Sequence, residues 1–284
     1  MTMIKEIAMT LFALLPMMTM AQDIIYDKSD SIVIEKILKK HSAKKYGNKG
    51  ELTLAIAQEF IGKKYVAGTL ENGAAEPLFI SCEKFDCSTF VELVTAISLT
   101  ASQHGDSFYD VCKNLEKLRY REGARNGYLS RLHYISWWIA DNTAKGIIDD
   151  VTGHTEHESR KQILDFMSTH PDGYPLLKGD SAMQEQIAAL EKPFCGTEVL
   201  YIAKAILNRG KEMLDIRNGD IIALVTTIKG LDTSHVGFAY WNDGRLHLLH
   251  ASSDKGKVIK DTTTLFNYQK NKSKQIGIRV IRVR

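Results

Sequence analysis

Between Ser88 and Leu99 the sequence carries Phe90, Val91, Leu93, Val94, Ala96, Ile97 and Leu99, so a helix through this segment is apolar on nearly every side. Such a helix has no face to give to water and belongs in the middle of a domain. Any fold open to this chain must supply layers that cover it, and the flanking sequence offers them. Across residues 28–62, Ile32, Ile37, Leu38, Leu52, Leu54, Ile56, Ala57, Phe60 and Ile61 recur near a 3.6-residue period, which predicts N-terminal helices with a solvated lysine face. In the final third, the segments 220–225, 235–241, 246–251, 257–260 and 276–281 become short apolar runs separated by turn residues, which predicts strands. Helices followed by an antiparallel meander indicate an α+β fold. The mixed stretch 101–210 lies between them. Its Ile187, Ala188 and Leu190, and then Leu200, Ile202, Ala203, Ile206 and Leu207, predict two further helices, so it reads as a helical insertion.

Charge excludes some functions and compartment follows from the first residues. Thirty-seven Lys and Arg against 34 Asp and Glu leave a net +3, too little to suggest nucleic acid or an anionic membrane as partner. Lys5, the apolar run from Ile7 to Met20 and the small-residue step Thr19-Met20-Ala21 have the form of a secretory leader over residues 1–21. The run is short for a bilayer span, which needs about 20 residues. The expected mature protein, residues 22–284, is a single soluble catalytic domain outside the cytoplasm, with no membrane span.

Four cysteines, Cys82, Cys87, Cys112 and Cys195, are too few for a disulfide framework and leave room for one functional thiol. Cys87 is the candidate. Asp86 is a good N-cap, and the buried helix starts directly after it, placing the sulfur at the positive end of the helix dipole. A helix N-terminus and a nearby imidazole both favour thiolate, so a lowered thiol pKa is expected. Two histidines offer that imidazole. His235 opens one apolar strand and His250 closes the next, and a hairpin through Asn242-Asp243-Gly244 brings the rings within reach of each other. His247 lies three residues from His250 and points to the opposite face of a regular strand. A zinc site from Cys82, Cys87, His235 and His250 has poor spacing, and no metal or cofactor is expected.

Three ordered segments, Phe85-Asp86-Cys87-Ser88-Thr89-Phe90-Val91-Glu92, Ser234-His235-Val236-Gly237-Phe238 and Leu249-His250-Ala251-Ser252, resemble the signature segments of the NlpC-type cell-wall cysteine hydrolases, a papain-like group. Ile61-Gly62-Lys63-Lys64-Tyr65 and Asn218-Gly219-Asp220-Ile221-Ile222 resemble two more of that family's segments. The resemblance implies a papain-like core with the nucleophile helix packed on an antiparallel sheet. It implies Cys87 as nucleophile, His235 as general base and acid, and His250 as the residue orienting His235. Tyr65 and Ser234 would flank the site.

Within the insertion, Tyr120-Arg121-Glu122-Gly123 and the run Tyr128 to Trp138 resemble the N-acetylmuramoyl-L-alanine amidase-like branch, first catalogued as a domain of unknown function. That implies a soluble muropeptide substrate, 1,6-anhydro forms included, cut between the lactyl group and L-alanine by a monomeric enzyme in a Gram-negative periplasm. The alternative within the family is cleavage between D-glutamate and a diamino acid; outside it, a non-catalytic wall-binding module. Aromatic faces pack on sugar rings and a guanidinium pairs with a peptide carboxylate. Arg131, His133, Tyr134 and Trp137 are accordingly the expected substrate contacts, with Trp138 as a core anchor.

Overall fold

The computed structural model describes residues 24–71 and 76–284; the leader expected over residues 1–21 lies outside the described residues. Two helices, α1 (Lys28–Ser42) and α2 (Lys49–Gln58), precede the apolar segment, which forms α3 (Cys87–Ser102) and is buried without interruption from Thr89 to Ala101. A fourth helix, α4 (Phe108–Arg119), packs on it. Four two-residue strands accompany them, one before α1 and three between α2 and α3: β1 (Ile24–Ile25) pairs with β3 (Leu78–Phe79), and β2 (Lys64–Tyr65) pairs with β4 (Lys84–Phe85).

The insertion differs from its expected form. It contains α5 (Ile135–Ala144), α6 (Phe166–Thr169) and α7 (Ser181–Glu191), but also β5 (Ile148–Asp150), β6 (Glu158–Lys161) and β7 (Glu198–Ala203). The segment from Leu200 to Leu207, expected as a helix, is the end of β7 followed by a 3-10 turn at Lys204–Asn208. A short apolar run is compatible with either period, and here an open sheet edge decides: Ile202 and Ala203 pair with Ile278 and Gly277.

The last third supplies β8 (Ile221–Thr226), β9 (Thr233–Asn242), β10 (Arg245–Ser252), β11 (Lys257–Thr264), the short α8 (Leu265–Lys270) and β12 (Gln275–Val283). Strands β8 to β11 run as an antiparallel meander, and β12 returns beside β8, so the sheet order is β4-β2-β11-β10-β9-β8-β12-β7-β6 with β5 also on β12. Asp243 and Gly244, both at positive φ, make the two-residue turn between β9 and β10. Both faces of the sheet are covered, which explains why β8 is apolar at successive positions. Ile221 and Ala223 join the core shared with α3, whereas Ile222 and Leu224 join a second cluster with Leu207, Leu214 and Leu265.

An aromatic chain fixes α3 to the sheet. Phe60, Phe85, Phe90 and Phe238 meet edge to face, with Phe90 and Phe238 rings 5.6 Å apart. Each such pair contributes about 1 kcal/mol beyond its buried area. Phe90 lies one turn after Cys87 and Phe238 three residues after His235, so this packing sets the separation between the two chemistry-bearing segments. At the entry to β8, Gly219 has φ +82° and lies so close to α2 that a Cβ would come within 1.9 Å of the Gly50 carbonyl oxygen. Only glycine fits there.

Candidate active site

Cys87 is the first residue of α3. The Asp86 carboxylate accepts from the Thr89 amide at 2.8 Å, and the Thr89 hydroxyl accepts from the Asp86 amide at 2.9 Å, a reciprocal cap that fixes the helix start. The Cys87 thiol is partly buried and takes hydrogen bonds from the Val236 amide, the residue after His235, and from Ser88. Burial, reinforced by the Asp86 charge, pushes the thiol up to about 11, outweighing those donors. The expected lowering by the helix N-terminus is outweighed chiefly by burial, and the capping Asp86 carboxylate beside the sulfur adds to it.

His235 and His250 are brought together. His235 Nε2 lies 2.6 Å from His250 Nδ1, and the rings are nearly perpendicular. Burial, then the charges of His250 and Lys272, draw His235 down to about 3, and burial also lowers His250. Asp261, which the sequence reading missed, stands 3.5 Å from His250 Nε2. No motif marks it. Gly237 makes room for the pair, since a Cβ there would meet the His250 Cβ at 2.8 Å. His247 is on the other face, stacked on Tyr240 with Nδ1 at the Asp261 and Thr263 carbonyls.

Tyr65, in β2, is raised by burial and next by the charge of Cys87, so its hydroxyl is within electrostatic reach of the thiol. Ser234 is exposed and its hydroxyl accepts from the Gln275 side chain at 3.2 Å. Cys82 is buried against Asp30, whose carboxylate takes the Cys82 amide at 2.8 Å. All four cysteines are free, and the described residues hold no group of three or more metal-ligating side chains.

A cleft of about 200 Å³ begins at Asp86, Ser88 and Val236 and runs to Arg131, His133 and Trp138. Arg131 pairs with Glu71 at 2.7 Å and with Glu76 at 3.3 Å, and lies over the Tyr128 ring. His133 donates from Nε2 to the Tyr128 carbonyl at 2.9 Å and is held well below the ordinary imidazole range by burial and by Arg131. Tyr134 and Trp137 do not line the cleft. The Tyr134 hydroxyl donates to Glu191 at 2.6 Å and accepts from the Met167 amide, and Trp137 is fully enclosed between Tyr134, Phe194 and the Arg121 guanidinium. Both indoles belong to the core, Trp138 as expected, and it is Trp138 rather than Trp137 that also borders the cleft. Neighbours on a helix point about 100° apart, and α5 turns Trp138 to the cleft and Trp137 inward.

The family described as N-acetylmuramoyl-L-alanine amidase-like (AmiA-like) matches residues 55–278. A crystal structure of an N-acetylmuramoyl-L-alanine amidase from Bacteroides uniformis shares 38% identity, covering 84% of this chain and 100% of that one with a TM-score of 0.79. A Bacteroides fragilis protein with a provisional xylanase designation shares 43% identity over 81% of this chain and 100% of that one, TM-score 0.76. Protein LPG0564 of Legionella pneumophila, at 24% identity over 90% and 94% of the chains and TM-score 0.69, has the same fold. No curated protein matches this chain.

Proposed function

This chain belongs to the N-acetylmuramoyl-L-alanine amidase-like family, and from that premise we propose that it is a cysteine hydrolase of papain-like, NlpC-type design that cleaves the amide between the muramoyl lactyl group and L-alanine in soluble muropeptides. The observation that carries the reading is the His235–His250 pair beside a thiol at the start of α3, whose chain neighbours Asp86, Ser88 and Val236 line one end of the cleft.

In this mechanism the Cys87 sulfur attacks the amide carbonyl as its proton passes to His235. Both groups are neutral at rest, since burial disfavours thiolate and imidazolium alike. The transfer therefore accompanies attack. In this reading the Cys87 amide, at the N-terminus of α3, receives the developing oxyanion. His235 then protonates the departing amine of L-alanine. That leaves the muramoyl group as a thioester on Cys87; His235 next takes a proton from the attacking water and returns it to the sulfur as the muramoyl carboxylate departs.

Trp138 and Tyr174 offer apolar faces for the sugar, and Arg131 is the cation for a stem-peptide carboxylate that displaces Glu71. The leader expected from the sequence over residues 1–21 fits action in the periplasm. Xylan cleavage is less well supported: of the cleft carboxylates, Glu71 and Glu92 are each bound to an arginine, Arg131 and Arg119 respectively, and Asp86 is taken up in capping α3. Glycoside hydrolysis instead needs a free carboxylate pair.

Mass spectrometry of one purified muropeptide after digestion tests the reading. Free stem peptide and muramoyl acid are expected, and Cys87→Ala abolishes them with an unchanged far-UV CD spectrum. A cut between D-glutamate and the diamino acid would move the substrate bond, and activity in the alanine variant would remove the nucleophile.

A further inference from the structure

The bulge in β11 places a carboxylate behind the histidine pair. Leu249 faces Lys260 and His247 faces Thr264, so the single residue Leu248 on β10 stands opposite three, Asp261, Thr262 and Thr263. A bulge of this kind re-aims a side chain. Here the Asp261 Oδ1 accepts from the Thr263 amide at 2.8 Å, while the backbone carbonyl of Asp261 accepts from the Tyr240 hydroxyl and from His247. Backbone and one carboxylate oxygen are thus both held. The other oxygen, Oδ2, is the one that stands 3.5 Å from His250 Nε2.

His250 Nε2 is buried and has no hydrogen-bond partner. The His250 side chain is fully enclosed, with Tyr268 edge-on to its ring. The charged groups acting on it are Asp261, Lys272 and Asp254, and Lys272 sits over Tyr268 and pairs with Asp254 at 3.4 Å.

We propose that Asp261 is a positioning residue that sets which nitrogen of His250 carries the proton, and through it which nitrogen of His235 is free to act as base. This role rests on the Cys87, His235 and His250 assignment proposed above, and the proton count fixes it. His235 Nε2 is taken up by His250 Nδ1, so His235 Nδ1 is the nitrogen left for the thiol. To accept a proton, Nδ1 must be bare, which puts the His235 proton on Nε2, donated to a bare His250 Nδ1. The His250 proton is then on Nε2, facing the Asp261 carboxylate. Reversing His250 puts a proton on its Nδ1 and forces His235 to hold its own on Nδ1, where it cannot take one from sulfur. A carboxylate can only accept, so it selects the productive arrangement. When His235 becomes imidazolium during attack, the same charge stabilises the pair, and the 3.5 Å contact shortens to a hydrogen bond.

Asp261→Asn separates this from a merely structural role. The Thr263 amide keeps the Asn carbonyl oxygen, which turns the amide NH₂ toward His250 Nε2 and favours the unproductive tautomer. The expected loss in kcat is ~10²–10⁴-fold with KM within about twofold, and Asp261→Ala is no worse than Asn. A structural role gives the opposite order, with isosteric Asn near wild type and Ala impaired. Long-range ¹H–¹⁵N spectra of the ¹⁵N-histidine-labelled protein read the tautomers directly and need no substrate. They therefore decide the point even if the proposed amide is not the bond cleaved. Wild type is expected to show His250 protonated at Nε2, and the Asn variant at Nδ1. A wild-type His250 protonated at Nδ1, or an Asn variant with kcat within threefold of wild type, overturns the proposal.

Discussion

His235 Nε2 and His250 Nδ1 are 2.6 Å apart with ring planes at 85°, and one proton lies between them. The pair therefore has two outer ends, His235 Nδ1 and His250 Nε2, and a change at one end is felt at the other. Burial keeps both rings in the neutral form, and it keeps the Cys87 thiol neutral as well. A thiolate–imidazolium pair at rest is not what this environment favours.

The first prediction concerns thiol reactivity. With the thiol pushed up to about 11, its thiolate fraction at pH 7 is small and rises about tenfold per pH unit toward that value. Alkylation of Cys87 by iodoacetamide in the resting protein is expected to climb steadily from pH 7 to 10. A rate that is already flat between pH 6 and 8 would show a preformed ion pair. On the acid side, His235 stays neutral well below its ordinary value, so its protonation does not limit activity near pH 6.5 and the limb it causes lies lower.

Gly237 supplies the second prediction. A methyl group there would meet the His250 Cβ at 2.8 Å and the Leu249 carbonyl oxygen at 3.1 Å, both anchored in β10. Gly237→Ala is expected to push the two imidazoles out of register and reduce kcat by ~10-fold or more, as small misplacements of catalytic groups do. Steady-state kinetics with a thermal melt checks it, and an unchanged kcat would show that the hairpin adjusts freely.

The neighbouring indoles give the third. Trp137 is enclosed in the insertion and Trp138 borders the cleft. Trp138→Phe is expected to raise KM for muropeptide several-fold with kcat little changed. Trp137→Phe should leave KM alone and lower stability by ~1–3 kcal/mol, measured by urea unfolding. Equal KM values for the two variants would remove Trp138 from the sugar site.

Much of this arrangement was legible along the chain. Periodicity marked α3 as central, Asp86 marked its start, and Asn242-Asp243-Gly244 marked the turn that puts His235 and His250 on adjacent strands. Each of these signals is local, carried by residues within a few positions of one another. The N-terminal helices and the strands of the final third were readable for the same reason. The segment Glu198–Ala203 was not, because its identity as a strand depends on an edge of β12 that comes some seventy residues later.

What the sequence by itself determined, then, was the central elements and the candidate chemistry: a buried helix with a thiol at its head, a hairpin with two imidazoles, and a long insertion between them. Tertiary structure alone decided the rest. It selected which indole faces the cleft, placed Asp261 behind His250 through a bulge, and reversed the expected direction of the Cys87 pKa. The reason is physical. Capping and periodicity act through covalent neighbours, whereas desolvation and charge act through space, on groups that only the finished packing brings together.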